Sequence, residues 1–73
     1  MNKIKEIADA ADMIINGYSF TKENGMIRVC NLNNIQKACI LDENGLLLET
    51  SMDDIELSIV DKYFSSNRSF LEV

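Results

Sequence analysis

The tripeptide Glu-Asn-Gly occurs twice in this chain of 73 residues, as Glu23-Asn24-Gly25 within FTKENGMIRV and as Glu43-Asn44-Gly45 within ILDENGLLLE. Each copy stands between apolar runs. Asn-Gly in that setting is the strongest short hairpin signal, because both residues tolerate the positive φ that a type I′ turn demands. The repeat therefore predicts two reversals and constrains the middle of the chain to antiparallel strands.

Around the first copy, Tyr18, Phe20, Ile27 and Val29 alternate with Ser19, Thr21 and Arg28. A two-residue loop at Asn24-Gly25 sets Lys22 opposite Ile27, Phe20 opposite Val29 and Tyr18 opposite Asn31, which gathers the apolar set on one face. Asn33-Asn34 in the segment NLNN suits a third reversal, since asparagine tolerates left-handed backbone. A two-residue loop there places Val29 opposite Ala38 and Ile27 opposite Ile40. The second Glu-Asn-Gly then closes a four-stranded antiparallel meander.

Helical periods flank the strands. Ile4, Ile7, Ala8, Ala11, Ile14 and Ile15 fall on one stripe about 120° wide, which predicts an amphipathic helix over residues 3–15 with Gly17 as its left-handed C-terminal cap. After the strands, Met52, Ile55, Leu57, Ile59, Val60, Tyr63 and Phe64 predict a second helix ending near Asn67, with Ser51 as N-cap and Asp53, Asp54 and Glu56 in the first turn, where the helix dipole favours acids. The expectation is one small α+β domain over residues 1–73, ordered α-β-β-β-β-α, with both helices on one face. Residues 68–73 form an apolar tail able to dock on the sheet or on a partner subunit.

That register puts Tyr18, Phe20, Ile27, Val29, Ala38, Ile40 and Leu47 in the core. The second face collects Met26, Cys30, Leu41, Leu46 and Leu48 among its polar residues, too much apolar surface for a side in water. Either the C-terminal tail or one of the helices covers it, or it serves self-association or a different protein partner, and the small size of the domain favours self-association among the contacts. The expected contact residues are Met26, Cys30, Leu41, Leu46 and Leu48, with Phe64, Phe70 and Leu71 from the helical and tail segments.

Composition argues against several other classes. Twelve acidic against seven basic residues give a net charge of −5, which opposes binding to nucleic-acid phosphates. The N-terminal stretch interrupts its apolar residues with Glu6, Asp9 and Asp12, and no run reaches membrane-spanning length, so neither secretion nor membrane insertion is expected and a cytoplasmic location is. There is no histidine, which removes the usual base for hydrolytic or transfer chemistry. Cys30 and Cys39 lack metal or redox spacing. The acids sit where turns and helix starts recruit them, and both Glu-Asn-Gly glycines are isolated, so no metal or cofactor is expected.

These readings converge on a cytosolic, non-enzymatic protein-interaction domain that self-associates as a homodimer through the second face of its sheet. Two alternatives remain. One is an acidic inhibitor or adaptor docking on a basic, nucleic-acid-binding protein. The other is an enzyme using Cys30 or Cys39, with Arg28 opposite Cys39 and Lys37 opposite Cys30 in the expected register to draw the thiols toward thiolate.

Overall fold

The computed structural model describes residues 3–71. Its elements are α1 (Lys3–Ala10), β1 (Met13–Ile15), β2 (Tyr18–Glu23), β3 (Met26–Asn31), β4 (Ala38–Asp42), β5 (Leu47–Thr50), α2 (Asp54–Ser66) and α3 (Arg68–Leu71). The strands form one antiparallel meander in the order β1-β2-β3-β4-β5. The α+β class and the meander are as expected, with five strands in place of four.

The additional strand comes from the end of the expected first helix. Asn16 and Gly17 have φ of 48° and 84°, so they form a two-residue hairpin loop and not a helix cap. Met13 pairs with Phe20 and Ile15 with Tyr18. Asp12 secures the change of direction: its N–H donates to the Phe20 carbonyl at 2.9 Å, and its carboxylate accepts from the Lys22 N–H at 2.6 Å. Methionine and two isoleucines beside an Asn-Gly loop suit a strand as well as a helix, and pairing with β2 decides between them.

The two Glu-Asn-Gly copies build different turns. Asn24 and Gly25 both have positive φ, 53° and 78°, and β2 and β3 take the expected register, with Phe20 opposite Val29. In the second copy Gly45 has φ of 90° and Asn44 does not share the positive sign. There the Gly45 N–H donates to the Asp42 carbonyl at 3.0 Å and the Asp42 N–H to the Leu46 carbonyl at 2.8 Å. This is a three-residue loop with glycine in the left-handed position. The Asp42 carboxylate tightens it by accepting from the N–H groups of Asn44 and Leu46.

The reversal between β3 and β4 is where the expected phase fails. It is not a tight loop at Asn33-Asn34. Two successive turns run from Asn31 to Asn34 and from Asn34 to Lys37, with the Asn34 N–H on the Asn31 carbonyl and the Lys37 N–H on the Asn34 carbonyl. Each opening asparagine also accepts through its side chain, Asn31 from the Asn33 N–H and Asn34 from the Gln36 N–H, the local bonding that makes asparagine a turn former. The resulting odd loop shifts the pairing by one residue, so Val29 faces Cys39 and Ile27 faces Leu41. Cys39 and Leu41 thereby enter the core, and Ala38 and Ile40 move to the opposite face.

The core comprises Tyr18, Phe20, Ile27, Val29, Cys39 and Leu41 of the sheet, closed by Met52, Val60 and Phe64, with Leu57, Ile59 and Tyr63 packed against it. Helix α2 supplies that cover. Its N-cap is Asp53, whose carboxylate accepts from the Glu56 N–H at 2.8 Å. Ser51, the expected cap, bridges strands: its hydroxyl accepts from the Ala38 N–H, and it donates to the Gln36 carbonyl at 2.6 Å.

Helix α1 buries no residue. Lys3, Glu6, Ile7 and Ala10 line a groove of about 690 Å³ together with Arg28, Cys30, Ala38 and Ile40 of the face opposite the core. The two helices thus lie on different sides of the sheet, in place of the expected single side. The second face is partly roofed by the protein's own helix.

Candidate functional site

The slipped register changes which residues are available for contact. Leu41 and Phe64 are core residues and Cys30 is buried, so these three expected contact residues are withdrawn from the surface. Met26 is exposed, but on β3 at the end of the sheet that holds the two Glu-Asn-Gly turns. The backbone of Phe70 and Leu71 lies in α3; their side chains, and residues 72 and 73 of the expected tail, fall outside the described part. Leu46 and Leu48 remain.

Those two leucines are joined by Leu47. Leu46, Leu47 and Leu48 are 65%, 41% and 49% exposed, and none of the four residues of β5 is buried. Strand β5 is a sheet edge: among the described residues it pairs with β4 and with no other strand. Between Ile40 and Leu41 the ladder carries a bulge, so that Leu41 faces Leu47 while Ile40 faces Glu49. The Leu46 carbonyl accepts from Asp42 on β4, and across a trans peptide the next N–H points the opposite way. The Leu47 N–H is therefore turned outward, along an edge lined by leucine.

The bare apolar surface is thus a strip on the margin of the sheet and not its second face. Three consecutive leucines carry no period, which hides the strip from a reading based on alternation. The signal that could have found it is position, since the last strand of an open meander is an edge. Ile55, in the first turn of α2, is a further exposed apolar residue at 74%.

The electrostatics of this half are one-sided. Residues 38–61, which build β4, β5 and the first two turns of α2, contain seven acidic side chains and no lysine or arginine. Two basic side chains stand at the ends of the strip. Lys37 donates through Nζ to the Ser51 carbonyl at 3.2 Å, and Arg68 donates to the Asn44 side-chain oxygen at 3.3 Å while stacking over the Phe64 ring.

Two side-chain bonds tie α2 to the loops of the sheet. Asn31 donates to the Glu56 carboxylate at 3.2 Å and Asn16 to the Tyr63 hydroxyl at 2.9 Å, which ties α2 to the loops at one end of the sheet and accounts for an acid on its inner side. Tyr18 is buried beside this cluster. Burial first, then the charges of Glu56, Tyr63 and Asp53, raise its pKa.

Neither thiol is in a setting that favours thiolate. Burial pushes Cys39 up to about 11, and it also raises Cys30, against a smaller opposing pull from Arg28. Arg28 faces Ile40, not Cys39, and Cys30 faces Ala38, not Lys37, so the slip removes both expected activating pairs. Among the described residues no group of three or more cysteine, aspartate or glutamate side chains is arranged to hold a metal ion. Among them also, no helix is long and apolar enough to cross a membrane.

Fold and surface together define a class: a small α+β meander domain whose last strand offers an unpaired apolar edge. The chain matches the DUF7723 family model, described as a family of unknown function, over residues 1–71, and it belongs to that family. No curated protein and no solved structure matches it.

Proposed function

We propose that this protein is a cytosolic, non-enzymatic interaction domain that self-associates through the free edge of β5. One observation carries the reading: a strand of the sheet holds exposed leucines, together with Leu46 at its mouth, beside an outward-turned backbone N–H. Natural sheets usually protect an edge with charge, proline or a covering loop. On β5 a short strand, a bulge and the single charge of Glu49 serve that purpose, and its first two residues are exposed leucines. Adding a strand from a second molecule satisfies the open backbone groups and buries the leucines together. The small core gives a further reason to gain stability by association. The buried, protonated thiols support both the non-enzymatic assignment and a reducing location.

Size-exclusion chromatography with light scattering, at low and high salt, tests this. Self-association that persists in high salt is expected, because its main term is apolar burial. A monomer under every condition contradicts it.

The concentration of acids in residues 38–61 favours a second reading, an adaptor that docks this half on a basic protein. That complex would weaken steeply with salt, and the isolated domain would stay monomeric.

A further inference from the structure

We infer that Asn24 is a site of self-modification, at which its side-chain amide is exchanged for a carboxylate through attack by the Gly25 backbone nitrogen, with water as co-reactant. Every glycine of the chain, Gly17, Gly25 and Gly45, follows an asparagine. Asn-Gly is the pair most open to this reaction, because glycine sets no side chain beside its own nitrogen. The structure separates the three copies.

The chemistry balances without a catalyst. Hydroxide takes the proton of the Gly25 N–H as that nitrogen bonds to Asn24 Cγ, and the Cγ–Nδ2 bond breaks to release ammonia. The product is a five-membered imide ring. Water opens the ring at Cγ to leave aspartate, or at the backbone carbonyl to leave isoaspartate, whose main chain runs through Cβ and Cγ. The sum is amide plus water going to carboxylate plus ammonium.

The Asn24 copy meets both requirements, an unheld amide and an open nitrogen. Asn24 and Gly25 are exposed at the tip of the β2–β3 hairpin, and among the described residues neither the Asn24 side chain nor the Gly25 N–H has a hydrogen-bond partner. The surroundings of Gly25 leave room for the ring, since a Cβ placed there would meet nothing within 4 Å.

The other two copies are held. At the second Glu-Asn-Gly turn the Gly45 N–H donates to the Asp42 carbonyl at 3.0 Å, Arg68 donates to Asn44 Oδ1 at 3.3 Å, and Phe64 covers the glycine. At the first hairpin Asn16 Nδ2 donates to the Tyr63 hydroxyl at 2.9 Å, and the Leu32 N–H donates to the Gly17 carbonyl at 2.8 Å. A hydrogen bond that must open first slows attack about fivefold. Asn24 therefore reacts ahead of both. Its product adds one negative charge to a chain at −5, next to Glu23, which pairs with Arg28 at 3.8 Å. Isoaspartate also adds a backbone atom to the two-residue loop that sets the β2–β3 register.

Incubation of the full chain in mildly alkaline buffer, followed by peptide mapping with mass spectrometry, tests this. A gain of about 1 Da is expected at Asn24. Relative to each site's rate in the urea-unfolded chain, it should run at least about fivefold faster than at Asn16 or Asn44. Y63F, which frees the Asn16 amide, should speed Asn16 about fivefold and leave Asn24 unchanged. Conversion at Asn16 or Asn44 as fast as at Asn24 in the folded chain overturns the assignment, as does an Asn24 that stays intact while the unfolded chain converts. An Asn16 indifferent to Y63F overturns the protection assigned to Tyr63.

Discussion

The ring of Phe64 lies so close to Gly45 that a Cβ placed on the glycine would sit 2.7 Å from Phe64 Cε2, whereas a Cβ on Gly25 would meet nothing within 4 Å. Two copies of one tripeptide therefore use their glycines for different reasons. Both need positive φ, and only Gly45 also needs the absence of a side chain, because α2 closes the core over the second turn.

Gly45→Ala is accordingly expected to cost more than Gly25→Ala. The left-handed backbone alone penalises each by about 1–2 kcal/mol, and displacing a buried aromatic ring adds about 1–3 kcal/mol at Gly45. Urea denaturation of the two variants measures the difference. Equal midpoints would mean that Phe64 yields freely and that the turn does not anchor α2.

The leucines on either side of the second turn separate core from edge. Leu41→Ala is expected to destabilise by about 2–5 kcal/mol, as buried leucine truncations do, and Leu46→Ala to change stability by less than about 0.5 kcal/mol at low protein concentration. The reverse order would restore the register in which Ala38 and Ile40 face the core.

That register shows how much of the fold was legible in the sequence. The helix–strand–helix order, the pairing of β2 with β3 and the location of three reversals follow from period and Asn-Gly chemistry. The slip after β3 does not, because Asn31 and Asn34 form two linked turns through their own side chains, and a loop longer by an odd number of residues inverts every position downstream. Asn16-Gly17 carried the same hairpin signal as Asn24-Gly25, but the isoleucines before it also fit a helical stripe. Of the expected contact residues, Leu46 and Leu48 are on the surface because they belong to an edge. Leu41, Phe64 and Cys30 were misplaced by the slip and by the depth at which α2 and α1 cover the two faces.

The start of α2 provides an independent check. Asp53→Ala removes the acceptor for the Glu56 N–H and is expected to cost about 1 kcal/mol, with faster hydrogen exchange at the Glu56 amide. Ser51→Ala, which unties β4 from the end of β5, should leave that amide unchanged. Faster exchange at Glu56 in both variants would show that the helix start depends on the strand bridge.

The thiols set an alkaline limit on stability. Cys39 in the folded chain titrates near 11, above its ordinary value of 9.0, so folded and unfolded states both hold the proton below pH 9. Between pH 9 and about 11 the unfolded chain releases it first, and stability falls as pH rises. Tyr18, raised by burial, acts in the same direction at higher pH. Denaturation curves from pH 7 to 11 should show this decline, with a shallower slope for Cys39→Ala. A slope unchanged by that substitution would mean that the thiol is not held protonated.

Hydrogen exchange at the Leu47 amide tests the self-association edge most directly, because that N–H points away from β4 and has a bonding partner only when a second strand is present. At low protein concentration it should exchange rapidly, and protection should grow with concentration and be absent in Leu48→Asp, whose circular dichroism remains that of the wild type. Exchange at Leu47 that is fast at every concentration, or protected to the same degree at all of them, would contradict assembly through this edge.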